Sequence, residues 1–262
     1  MVADFLTCGW ARFPFDPGAA EWARHALADA RRAVADPALA HWHVCERTWF
    51  VGVDALDNDR AGRVGRSGPL AGPVVDFLTG LYGPMPDLHR GQVSVVYPGY
   101  PKPRDGEGPG AFRYRQRRDA AHLDGLKPEG AARRRKIREC HAFILGLPLC
   151  EVSADAAPLV VWEGSHEILR AALRAVLAPH PRHEWPEVDM TDAYQQARAE
   201  VFARCRRVEL PGRPGEAHVL HRLALHGVAP WGAAATGGAD GRMIAYFRPL
   251  LAGGVAAWLD LP

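Results

Sequence analysis

His122-Leu123-Asp124 places an imidazole and a carboxylate two residues apart. In an extended chain successive side chains point to opposite faces, so residues 122 and 124 share a face while Leu123 packs behind them. An imidazole and a carboxylate so placed converge on one cation and supply two ligands of a facial triad. The segment Leu220-His221-Arg222-Leu223-Ala224-Leu225-His226-Gly227 offers two candidates for the third. His221 and His226 face opposite sides of a regular strand, so at most one of them points into the shared cavity. His226 is favoured, because Gly227 allows a turn and an arginine follows in Gly241-Arg242-Met243; His221 stays as the alternate. The guanidinium of Arg242 is a rigid fork that matches a carboxylate, so beside a His/Asp/His metal site it suits the distal end of a dicarboxylate. Arg248 is its rival, on the same strand face but just before Pro249.

Other polar clusters read as structure first. His41-Trp42-His43 with Cys45 has the spacing of a chelate but no further ligand nearby, and it adjoins the aromatic run Arg47-Thr48-Trp49-Phe50. Ser165-His166 reads as a cap on the helix that follows. The arginines at 113, 115, 117 and 118, and at 133–135, read as solvated faces flanking the His-x-Asp segment. No phosphate-binding glycine loop and no Gly-x-Ser-x-Gly elbow is present, which removes support for phosphoryl, hydride and esterase chemistry.

The elements that must position these residues are legible in outline. Asp16-Pro17 caps a helix whose apolar residues recur from Trp22 to Val34 until Pro37 stops it, and a second helix covers 71–81. From Gln92 the texture changes to short β-type runs at 92–97, 140–147, 158–162, 217–220 and 243–247, interrupted by helices at 167–177 and 191–206. Strands and helices do not alternate as in a parallel βαβ protein. The expected fold is therefore mainly β with flanking helices: a jelly-roll, cupin-like barrel, or double-stranded β-helix, with N-terminal helices. No repeat or low-complexity linker divides the chain, so one domain over 1–262 is expected, with 1–90 a helical region packed on a barrel core at 91–262. The Pro/Gly-rich stretch 98–110 is expected to be a mobile lid over the site.

Composition bounds the rest. The chain has 262 residues, 48% of them hydrophobic and 24% charged, with a formal net charge of +2. These are the values of a folded chain without global attraction for nucleic acid or an acidic membrane. No uninterrupted apolar run reaches the length of a membrane span, and five scattered cysteines suit small core positions in a reducing compartment, so a cytoplasmic location is expected. The partner expected is a small-molecule substrate.

Three blocks in this order resemble the iron(II)/2-oxoglutarate-dependent oxygenases, specifically their phytanoyl-CoA dioxygenase-like branch. They are His122-Leu123-Asp124, the segment Ala157-Pro158-Leu159-Val160-Val161-Trp162-Glu163-Gly164-Ser165-His166, and His226-Gly227 followed by Arg242. The resemblance spans about 92–247. Glu163 stands where the family usually has proline, and the His226-to-Arg242 separation is longer than usual, filled by a Gly/Ala-rich stretch at 231–240. The resemblance implies an enzyme in which His122, Asp124 and His226 bind Fe(II) and Arg242 binds 2-oxoglutarate. It implies a dioxygenase that uses O2 to hydroxylate a small organic substrate while 2-oxoglutarate is decarboxylated to succinate. Asp124 speaks for hydroxylation over halogenation, since related halogenases have a small residue there. Two other readings remain: a catalytically silent jelly-roll that binds a ligand or protein, and a cupin metalloenzyme that works without 2-oxoglutarate and needs a further His or Glu ligand.

Overall fold

The longest helix starts where the sequence places it, and for a local reason. The Asp16 carboxylate accepts a hydrogen bond from the Ala19 amide at 2.8 Å, Pro17 occupies the first turn, and Trp22, Ala23, Ala26 and Ala30 form the buried stripe. In the computed structural model, which describes residues 1–261, this helix is one of seven α-helices accompanying twelve strands.

Along the chain these are α1 (Val2–Cys8), β1 (Trp10–Phe13), α2 (Pro17–Ala35), β2 (His43–Val44), β3 (Trp49–Phe50), α3 (Pro73–Tyr82), β4 (Gln92–Val96) and α4 (Pro109–Arg117). There follow β5 (Leu126–Glu129), β6 (Arg134–Ile137), β7 (Phe143–Pro148), β8 (Leu159–Trp162), α5 (Ser165–Leu177) and α6 (Thr191–Arg204). The order closes with β9 (Arg207–Leu210), β10 (Ala217–His221), β11 (His226–Val228), β12 (Arg242–Phe247) and α7 (Gly254–Asp260).

A seven-stranded sheet runs in the order β1-β10-β7-β12-β4-β3-β2, a three-stranded sheet in the order β11-β8-β9, and β5 and β6 form a separate hairpin; the strand pairings are antiparallel. Ile144 of β7, Leu220 of β10, and Ile244 and Tyr246 of β12 pack against Leu159 and Val161 of β8 and Leu210 of β9, so the two sheets face each other across a shared apolar interior. Period two explains the choice of residues: Arg242, Ile244 and Tyr246 alternate toward that interior, while Met243, Ala245 and Phe247 join the helices α2 and α3 on the outer face. Gly146 makes room for one interior ring, since a Cβ there would lie 2.8 Å from the Tyr246 ring. Helices α5, α6 and α7 cover the back of the smaller sheet through Leu169, Tyr194, Val201 and Trp258. This antiparallel architecture with flanking helices is consistent with a cupin-like fold. No helix among the described residues is long and apolar enough to cross a membrane.

Two sequence expectations change. Residues 1–90 are not purely helical: β1 supplies one edge of the large sheet, and β2 and β3 supply the other. These strands have two to four residues, too short for their alternation to register in the sequence. The stretch 98–110 is anchored rather than loose. Tyr100 is buried against Cys45, Val96 and Ala157, the Arg104 guanidinium lies 5.1 Å over the Trp49 ring, and Glu107 forms a buried ion pair with Arg115 of α4. A buried aromatic, a cation–π contact and an ion pair anchor a segment whose composition reads as a mobile lid.

Replacing Asp16 with Ala removes the N-cap of α2 and is expected to cost about 1 kcal/mol. Scanning calorimetry should show the unfolding midpoint lowered by roughly 2–4 °C for a domain of this size, with a single transition retained.

Candidate metal centre and its cavity

The backbones of His122 and His226 exchange both hydrogen bonds of an antiparallel bridge, with the His122 amide donating to the His226 carbonyl at 2.8 Å and the His226 amide to the His122 carbonyl at 3.1 Å. Directly opposed residues project to the same side, which sets the two ring centroids 4.5 Å apart. The bridge is isolated: the His-x-Asp alternation predicts a strand, but His122 lies outside every strand. Asp119 and Ala120 turn the chain into it with φ of +53° and +52°, and Gly125 turns it away with φ of +92°. Gly125 is needed there for space as well, because a Cβ would lie 2.4 Å from the Glu139 carbonyl oxygen.

Asp124 completes the group. Ligand atoms of His122, Asp124 and His226 all lie within 4.8 Å of one another, and they form a cluster suited to a metal ion. The Nδ1–H of each imidazole donates to the carbonyl two residues before it, Ala120 for His122 at 3.0 Å and Ala224 for His226 at 2.9 Å. Each Nε2 lone pair is thereby turned toward Asp124, at 3.3 Å from Oδ1 for His122 and 3.8 Å from Oδ2 for His226. Burial alone would raise the Asp124 carboxyl, but the Arg248 guanidinium holds it well below the usual carboxylate range. Burial pushes His226 down to about 4, with His122 adding to the effect, so its ring is neutral at physiological pH. An ionised carboxylate and a neutral imidazole are the protonation states that metal coordination requires.

His226 is held from behind. The Leu225 amide donates to the buried Ser165 hydroxyl at 2.9 Å, and the Leu225 carbonyl accepts from the Trp162 amide at 3.0 Å. Ser165 is therefore not the cap of α5, a place taken by Gly164 at φ +76°; its hydroxyl fixes the ligand strand instead. Gly227 lies against the Asp119 carbonyl, where a Cβ would come within 2.2 Å. The Asp119 carboxylate is in turn gripped by Arg207 of β9 at 2.7 and 2.9 Å.

The structure separates the remaining candidates. His221 ends β10 in the large sheet, its ring against His166 and Phe5, with Arg170 Nη2 2.8 Å from Nε2; it does not reach the triad. Arg242 begins β12 on the interior face, buried, with Nη2 3.4 Å from the Tyr246 hydroxyl and Nη1 without a partner. It does not touch the triad. Arg248 does: its Nη1 donates to Asp124 Oδ2 at 3.0 Å. His41 stacks on Trp42, and His43 Nε2 pairs with the Val34 carbonyl, so neither takes part in a ligand group. Arg113, Arg117, Arg133 and Arg134 lie on solvated faces as expected, while Arg118 lies over Phe202, Arg135 over Tyr194, and Arg115 is buried in its ion pair with Glu107.

The triad lies on the wall of a cavity of about 450 Å³. Trp49, Val51, Ile144, Leu159, Val228 and Tyr246 give it an apolar lining, and Lys127, Glu139, His89, His141, Gln92 and Ser94 add polar groups. Sequence reasoning missed these. Gln92, Ser94 and Tyr246 carried a usable signal, because they fall on the alternation of β4 and β12. His89 and His141 carried none, since only the packing of distant segments brings them here.

Comparison with known proteins adds the fold. The epimerase SnoN, solved in complex with Fe3+, alpha-ketoglutarate and nogalamycin RO, is 17% identical, with a TM-score of 0.52 over 99% of this chain and 88% of that one. That likeness shows a shared fold. EctD from S. alaskensis with bound Fe matches at 18% identity and a TM-score of 0.47, covering 94% of this chain and 74% of its own. AviO1 from Streptomyces viridochromogenes matches at 12% and 0.47, covering 100% and 96%. No protein-family model and no curated protein matches the sequence.

The close approach at Gly227 is testable. A methyl there meets backbone and not a mobile side chain, so Gly227→Ala should destabilise by about 2–4 kcal/mol, in the range of buried overpacking with a backbone shift. Urea unfolding should show the loss as a lowered midpoint, with Mn(II) binding weakened in the folded fraction.

Proposed function

We propose that the chain is an Fe(II)/2-oxoglutarate-dependent dioxygenase of the phytanoyl-CoA dioxygenase-like kind, one double-stranded β-helix domain over 1–262 that hydroxylates a small organic substrate. The observation that carries this is the convergence of two Nε2 atoms and an ionised carboxylate on the wall of an apolar cavity. The donor set fits Fe(II): two imidazoles and one carboxylate on one face suit a non-haem iron that keeps its other positions open. The buried Nη1 of Arg242, which has no partner, fits one carboxylate of 2-oxoglutarate. Bound Fe(II) with 2-oxoglutarate and O2 supplies the oxidising power, leaving succinate and carbon dioxide as co-products.

The chain's own residues provide placement and dryness. Asp124 offsets part of the metal's charge, and the carbonyls of Ala120 and Ala224 orient the two rings. Arg242 holds the co-substrate's distal end, and Tyr246, whose hydroxyl lies beside it, also lines the cavity and joins the two places. The apolar walls at Trp49, Ile144, Leu159 and Val228 keep water from the reacting centre. Three ligands are what a 2-oxoglutarate enzyme uses; a cupin metalloenzyme without that co-substrate calls for a fourth His or Glu, and the ligand group among the described residues has three members.

Calorimetric titration with Fe(II) under anaerobic conditions tests the site, with His226→Ala expected to abolish binding and His221→Ala to leave it intact. Loss of binding in His221→Ala alone would sink the assignment. With Fe(II) bound, 2-oxoglutarate should raise a visible charge-transfer band, and succinate should accumulate slowly in air even without substrate. Arg242→Lys, which replaces a fork by a point charge, should weaken the 2-oxoglutarate response by about 1.5–3 kcal/mol, or roughly ten- to a hundredfold. A silent binding protein would show neither band nor succinate.

A further inference from the structure

Arg248 lies one residue beyond β12 and is pinned at its backbone by two imidazoles of the cavity wall. Its amide donates to His89 Nε2 at 3.0 Å, and its carbonyl faces His141 Nδ1 at 3.0 Å. The Nδ1–H of His89 is spent on the Arg90 carbonyl at 2.5 Å, which leaves Nε2 as the acceptor the Arg248 amide needs. Pro249 follows, with its carbonyl taking the Ala142 amide at 2.7 Å, and Leu250 bridges to His141. The side chain that starts from this base reaches Asp124 Oδ2 at 3.0 Å.

The two oxygens of Asp124 are thereby made unlike. Oδ1 faces His122 Nε2 at 3.3 Å, while Oδ2, which faces His226 Nε2 at 3.8 Å, is the one Arg248 occupies. A carboxylate free to rotate can offer a metal both oxygens and so use up a further coordination position. We infer that Arg248 is a positioning residue for Asp124, its guanidinium keeping Oδ2 engaged so that Oδ1 is the oxygen left for the cation. The inference rests on the metal reading above, and it gives Arg248 a role different from that of Arg242: one arginine serves the metal's ligand and the other the co-substrate. Outer partners of metal ligands commonly set affinity by tenfold to a hundredfold, which fixes the size of the effect to look for.

The test is Mn(II) binding by calorimetry to the full chain without 2-oxoglutarate, followed by 2-oxoglutarate binding to the Mn(II)-loaded protein. Arg248→Met should weaken Mn(II) binding by about ten- to a hundredfold, and Arg248→Lys, which keeps the charge but not the fork, should fall between it and the parent. Melting curves of the metal-free variants establish that each is folded; if Arg248→Met is not, the Lys variant carries the comparison. An unchanged Mn(II) affinity in a folded variant overturns the inference, and so does a higher one, which would make Arg248 a competitor for Asp124. Unchanged Mn(II) affinity with a collapse in 2-oxoglutarate binding would instead move the carboxylate clamp from Arg242 to Arg248. Failure of the folded parent protein to bind Mn(II) at all would remove the metal reading, and this inference with it.

Discussion

Two backbone hydrogen bonds between His122 and His226 are the constraint on which the site depends. The residues come from segments that share no regular strand, so only this bridge gives their side chains a common direction. Much of the surrounding structure maintains it. Strand β11 is held in register by β8, the Leu225 amide is satisfied by Ser165, and the segment entering His122 is clamped through Asp119 by Arg207. Glycine at 125 and 227 lets the neighbouring backbones approach as closely as the bridge demands. The larger sheet adds the cavity's other wall and, on the interior face of β12, the buried Arg242.

The electrostatics follow from the same geometry. Burying a carboxylate is unfavourable unless its charge is answered, and here the Arg248 guanidinium answers it before any metal is considered. Burial leaves the His226 ring neutral, and each Nδ1–H is given to a carbonyl, which turns each Nε2 toward Asp124. The site is thus a preorganised acceptor set with the Arg248 guanidinium standing behind the carboxylate.

How much of this was legible in the sequence depended on range. The Asp16-Pro17 helix, the strands beginning at Gln92 and Leu159, and the order of the ligand blocks were readable, since each is a local pattern of caps, alternation or spacing. The choice of His226 over His221 was readable only through Gly227 and the downstream arginine, and the structure places the two histidines in different sheets. The edge strands β1 to β3 were not readable, because two to four residues carry no periodicity and form only when a partner edge is present. The anchoring of 98–110 was hidden for a similar reason: Tyr100 and Glu107 find their partners in other segments, so composition alone reads as slack chain. Arg248 was visible as a residue but not as a partner of Asp124, a contact that depends on where β12 ends relative to the Asp124 turn.

The two imidazoles are unequally sheltered: the side chain of His122 is 47% exposed and that of His226 8%. His122 is also tied in by a single bridge, whereas His226 belongs to a strand paired along its length. Local opening of the His122 end breaks the two bridge hydrogen bonds and that of the Leu123 amide to the Tyr194 hydroxyl. Ion exchange then becomes a surface event with its own clock. An ion held there as proposed would leave to a chelator at a rate indifferent to how firmly the rest of the molecule resists denaturation.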